Sequence, residues 1–145
     1  MKMFYTTISI GTIALAMLAG SAAMVTSEDS PHAAHMMKCA STCSDCAVEC
    51  DKCFHHCASH VSDGTKEHSA CMLCCVDCAD CCKMCATLCA RQSAMSAHAC
   101  ECCAKCCDDC AAACEKITDD KQMAACAKTC RACAKECREM AKMTK

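Results

Sequence analysis

The cysteines of this chain keep helical time. Cys39, Cys43, Cys46, Cys50, Cys53 and Cys57 step 4-3-4-3-4, and Cys71, Cys75, Cys78, Cys82, Cys85 and Cys89 repeat those steps. Cys100, Cys103, Cys107, Cys110 and Cys114 follow, then Cys126, Cys130, Cys133 and Cys137. Steps of three and four mark the inward seam of an amphipathic helix. Cys74 and Cys81 lie beside the second row, and Cys102 and Cys106 beside the third. Asp45, Glu49, Lys52, Lys128, Arg131, Lys135 and Arg138 fall off the seam, as solvent-facing residues should.

Four helices with cysteine on their inner faces are expected. From Met24 onward the other large apolar residues besides methionine are Val25, Val48, Phe54, Val61, Leu73, Val76, Leu88 and Ile117, too few to fill a core at normal density. Sulfur must take their place. Ser30 suits an N-cap with Pro31, the sole proline, at the first helical position. Breaks at Ser62-Asp63-Gly64-Thr65, 91–97 and 116–120 predict helices at about 31–61, 66–92, 96–116 and 119–143. Short connections make neighbouring helices antiparallel, so the expected fold is an all-α, up-down four-helix bundle over 31–145.

Residues 1–23 read as a secretory signal: Lys2 supplies the charge, Ile8 to Leu18 the apolar stretch, and Ser21-Ala22-Ala23 the small-residue cleavage site. The apolar stretch is too short to span a bilayer. Residues 24–30 form a linker. There is no twin arginine, and Ser21 stands where a lipid-anchored protein needs cysteine. The expectation is Sec-type export, placing a bacterial protein in the periplasm without stable membrane association after cleavage. Export favours disulfides, yet 25 cysteines leave at least one unpaired in a monomer.

Thiols at i,i+4 on a helix have Cβ atoms roughly 5–6 Å apart, too far for an unstrained disulfide. The spacing suits one soft ion held between two sulfurs. Thiolates favour Cu(I), zinc and iron–sulfur clusters. Zinc prefers closed tetrahedra on turns, whereas long rows on straight helices suit ions with two or three ligands, and Cu(I) fits best. At two unshared thiolates per ion the capacity is about 12. Each such ion leaves a negative charge in the core, which flanking lysines or sulfurs shared between ions would offset.

Cys75, Cys78, Cys81 and Cys85, and again Cys100, Cys103, Cys106 and Cys110, imitate a ferredoxin string, but Ala86 and Ala111 replace its proline. The string also arises wherever two offset rows overlap on one helix. A zinc-binding or disulfide-laced helical scaffold is the main alternative, an iron–sulfur carrier the lesser one. A net charge of −2 gives no footprint for nucleic acid, and no nucleophile–base set indicates an enzyme.

Repeated C-x-x-x-C pairs on all four segments, from about Pro31 to Lys145, resemble the cysteine-rich four-helix-bundle copper-storage proteins and the wider family of four-helix-bundle copper-binding proteins. The resemblance implies storage of many Cu(I) ions inside a bundle, often in a homotetramer, with exported members serving bacterial copper handling. Exported relatives use a twin-arginine leader, which this sequence lacks.

Histidine and methionine extend the seam. In an up-down bundle, His32, His35, Met36, Met95, His98 and Met140 gather at one end, and His60, His68 and Met123 at the other. Thioether and imidazole bind copper more weakly than thiolate, which suits an entrance. His32, Met36, His60, His68, Met123 and Met140 are the candidate entrance ligands. Met72 and Met84 read as packing or surface residues, and His55 and His56 as solvent-facing.

Overall fold

Ser30 caps the first helix, its Oγ accepting the Ala33 N–H at 3.1 Å, with Pro31 at the first helical position. The computed structural model describes residues 30–62, 64 and 66–143; the predicted leader and linker, up to residue 29, lie outside them. Four helices follow in order: α1 (Pro31–Ser62), α2 (Lys66–Ala90), α3 (Ser96–Cys114) and α4 (Lys121–Met143). There is no strand among the described residues.

The ends of α2 and α3 and the start of α4 fall inside the predicted bounds, for local reasons. Gln92 adopts φ 50° and closes α2 with a Schellman pattern, in which the Ser93 N–H reaches Leu88 O at 3.0 Å and the Gln92 N–H reaches Cys89 O at 2.9 Å. Asp119 at φ 62° turns the chain between α3 and α4. Asp120 then caps α4, its Oδ1 accepting the N–H groups of Gln122 at 2.8 Å and Met123 at 3.1 Å.

The helices pack in a ring, α1 on α2, α2 on α3, α3 on α4 and α4 on α1. Alanine and cysteine dominate the contacts, and the largest fully buried side chains are Met123 and Met140. Small side chains let the backbones approach and leave a narrow interior that sulfur fills. Arg131 clamps the outside of α3 to α4. It donates to both carboxylate oxygens of Glu115 at 3.0 and 2.8 Å and to Asp108 at 3.0 Å, and Asp108 also takes Arg138. Lys83 on α2 meets Asp51 on α1 at 3.1 Å, and Gln122 on α4 donates to Glu49 on α1 at 2.7 Å.

Candidate metal centre

All six cysteines of α1 and all four of α4 are buried, as are six on α2 and five on α3. All 25 are free thiols. Along α2 and α3 the sulfurs meet in opposite order: Cys71 and Cys114 at 3.4 Å, Cys75 and Cys110 at 3.8 Å, Cys78 and Cys107 at 3.6 Å, Cys82 and Cys103 at 3.5 Å, Cys85 and Cys100 at 3.5 Å. Along α1 and α4 the order is opposed too, with Cys43 and Cys137 at 3.5 Å and Cys50 and Cys130 at 3.6 Å. Across the diagonal, Cys39 meets Cys100 at 3.7 Å, Cys46 meets Cys107 at 4.0 Å and Cys53 meets Cys114 at 3.9 Å. The thiols therefore form one connected column.

Within this column, sets of four sulfurs lie within 4.8 Å of one another. Cys39, Cys85, Cys89 and Cys100 form one set, Cys43, Cys103, Cys133 and Cys137 another, and Cys46, Cys78, Cys82 and Cys107 a third. With metal–sulfur bonds of about 2.3 Å, sulfurs sharing one ion stand roughly 4 Å apart. The column already holds that spacing. Sets also overlap: Cys46 and Cys78 recur in a group with Cys50 and Cys130, so one sulfur faces more than one potential ion.

Burial opposes ionisation at each of these thiols, while hydrogen bonds among neighbouring sulfurs raise some and lower others, Cys78 to about 7 through Cys107. Cys57 rises to about 12, chiefly from loss of solvent and then from the charge of Cys71. A metal ion must displace the protons. No lysine or arginine is buried among the described residues, so flanking cations do not reach the column.

Cys74, Cys81, Cys102 and Cys106 stand outside the column. Cys102 is exposed and the other three are half-buried. The sequence had set all four beside the main rows, and burial separates them in the same way.

One end of the column gathers more than the sequence indicates. Met123 Sδ lies 3.7 Å from Cys71 Sγ and 3.9 Å from both Cys53 and Cys57, so it caps the thiols from α4. Beyond it, the His60 and His68 rings stand 4.6 Å apart. Both ring nitrogens of buried His68 lack a hydrogen-bond partner. His56, expected in solvent, is half-buried 4.6 Å from the His60 ring, and its Nε2 donates to Asp120 Oδ2 at 2.7 Å. The N-cap of α4 carries that carboxylate over the end of α1, which the α1 sequence does not reveal.

At the other end, Met36 and Met140 are buried against the column, and His32, Met36 and exposed His98 line one cleft with Glu101, Gln92 and Ser93. Met95 and Met84 are exposed.

Asp120 thus serves a cap and a histidine. Burial pushes its carboxyl up, but the bond from His56 and the N–H groups of Met123 and Gln122 outweigh this and hold it below 3.8. The stability it adds is present above that unfolded value and is lost as pH falls through the lower folded one. Asp120→Ala should destabilise the reduced chain by about 1–2 kcal/mol in urea denaturation. It should also flatten the acid limb of the stability curve. Asp120→Asn, which still caps, should lose less.

Four helices around a column of thiols, with thioether and imidazole at its ends, carry the donor set of a soft-metal-binding bundle. The chain belongs to the copper storage protein family, whose model matches residues 16–142. It is similar to apo Csp3, copper storage protein 3 from Bacillus subtilis, with 34% identity and a TM-score of 0.63 over 71% of this chain and 95% of that one. The Cu(I)-bound copper storage protein BsCsp3 is 32% identical with a TM-score of 0.66, covering 74% of this chain and 98% of its own. Nmul_A1745 from Nitrosospira multiformis is 28% identical with a TM-score of 0.66, covering 76% and 97%. No curated protein matches.

Proposed function

We propose that this chain is an exported store that holds many Cu(I) ions between the buried thiolates of an antiparallel bundle, for copper storage or detoxification. The connected column of thiols at metal-sharing distances carries the reading. The opposed order of sulfur contacts along α2 and α3, and along α1 and α4, is what an up-down bundle produces. The Cu(I)-bound form of BsCsp3 supports copper as the cargo. Export rests on the leader at 1–23, and a homotetramer on the family resemblance.

The buried cysteines of the four rows are the ligands. Met123, His60 and His68 at one end, and His32, Met36 and Met140 at the other, serve as entrances, because weaker soft donors pass an ion inward to thiolate. Charge selects how the column fills. An ion on two unshared thiolates leaves a negative charge where no lysine or arginine is buried among the described residues. Sharing each sulfur between ions removes that charge and drives the ion-to-thiolate ratio toward one.

An anaerobic Cu(I) titration of the reduced chain against a competing chelator, with zinc in parallel, tests the reading. Ten or more tightly held Cu(I) ions per chain are expected, about ten being what unshared two-thiolate coordination gives and shared sulfurs raising the number. Replacing Cys78 and Cys82 with alanine should lower that number by one or two ions. Saturation at zero or one ion would overturn the store, all-or-none loss in the double variant would indicate a single centre, and tighter zinc than copper would move the cargo to zinc.

A further inference from the structure

We propose that Cys81, Cys102 and Cys106 form a separate, solvent-facing Cu(I) site between α2 and α3 that exchanges its ion faster than the core does. The proposal rests on the copper reading above. It starts from an asymmetry: α1 and α4 place every cysteine in the buried column, whereas α2 and α3 carry four more on their outer flanks. The matching positions of α1 and α4, one residue before a core cysteine, hold other residues, such as Thr42, Glu49, His56, Thr129 and Glu136.

Three of these four thiols meet. Cys81 Sγ on α2 lies 3.0 Å from Cys106 Sγ and 4.0 Å from Cys102 Sγ, both on α3 and one turn apart. Two helices thus supply three soft donors to one point, a set suited to two- or three-coordinate Cu(I) and one ligand short for closed zinc. An ion entering there must widen the 3.0 Å contact toward about 4 Å. Side chains that are half-buried or exposed can do so by changing rotamer, without disturbing the core packing.

Exposure separates this site from the column in two ways. Water solvates the charge left by two or three thiolates, so it needs no buried counter-ion, and Lys105 stands beside Cys106 on the exposed side of α3. The outward side of the trio is open to an incoming thiol or chelator, whereas the core sulfurs Cys103 and Cys107, on the same helix, have no exposure. As Cu(I) binds, each coordinating thiol releases its proton to solvent and no electrons are transferred.

The test uses the full reduced chain loaded with Cu(I) under anaerobic conditions, then mixed with excess colorimetric Cu(I) chelator. About one ion per chain should leave in a fast phase, the others slowly. In the C81S/C102S/C106S variant that fast phase should vanish and capacity should fall by about one ion. Alkylation with iodoacetamide and mass spectrometry, before and after the fast phase, reports which thiols the departing ion leaves unprotected. Loss of protection at these three supports the site. An unchanged fast phase and capacity in the variant, or core thiols losing protection first, would overturn it while leaving the store intact. A wild-type chain that binds no Cu(I) would overturn both.

Discussion

Filling the column with Cu(I) should raise the melting temperature of the reduced chain by more than about 20 °C, measured by far-UV circular dichroism. The metal-free core is the reason. Its buried side chains are mainly cysteine and alanine, with Met123 and Met140 the largest that are fully enclosed. Neighbouring sulfurs at 3.4 to 4.0 Å make only weak thiol contacts. An ion bound at a hundred times its dissociation constant stabilises the native state by about 2.7 kcal/mol. A domain of this size, between the small and mid-sized classes, gains roughly 3–5 °C per kcal/mol. Two or three ions therefore suffice, and sets such as Cys43, Cys103, Cys133 and Cys137 draw their ligands from more than one helix. Removing copper with a chelator should restore the original melting temperature. Stoichiometric uptake without a shift would mean that the ions sit on the surface rather than between the helices.

The column was legible in the sequence because cysteine repeats at 3 and 4 over four segments, and such rows have one inward face. Position along the chain also separated Cys74, Cys81, Cys102 and Cys106 from those rows. It could not show that Cys81 meets Cys102 and Cys106, since that depends on how α2 lies against α3. The end of α2 was hidden for a local reason: Gln92 takes a left-handed conformation usually marked by glycine or asparagine. Asp120 falls inside the helix that the sequence predicts from 119, whereas in the structure it is the cap before Lys121. Its bond to His56 joins residues 64 apart in sequence and follows from the packing of α4 on α1. The offset of core charge was likewise open in the sequence, where lysines flank the rows. The structure leaves every described lysine exposed.

That exposure makes the pH dependence of copper binding a measure of how sulfur is shared. A cysteine that is still protonated when the ion arrives, as Cys57 is at neutral pH with burial raising it to about 12, gives up that proton on binding. An ion on two unshared thiolates releases two protons, and its apparent affinity should fall about a hundredfold for each pH unit of acidification. An ion that adds one net thiolate to a shared cluster releases one proton and weakens about tenfold. The first ions into the reduced chain should release close to two protons each, counted with an indicator in weak buffer. Averaged over all ions bound, the number should fall toward one as the column fills. The fall follows from electrostatics: with no lysine or arginine buried among the described residues, successive two-thiolate ions would accumulate negative charge at rising cost. Bridging sulfurs relieve that repulsion, and overlapping sets such as those sharing Cys46 and Cys78 provide the geometry. Two protons per ion maintained to saturation would instead mean isolated sites, a capacity near half the thiol count, and charge balanced from outside the core.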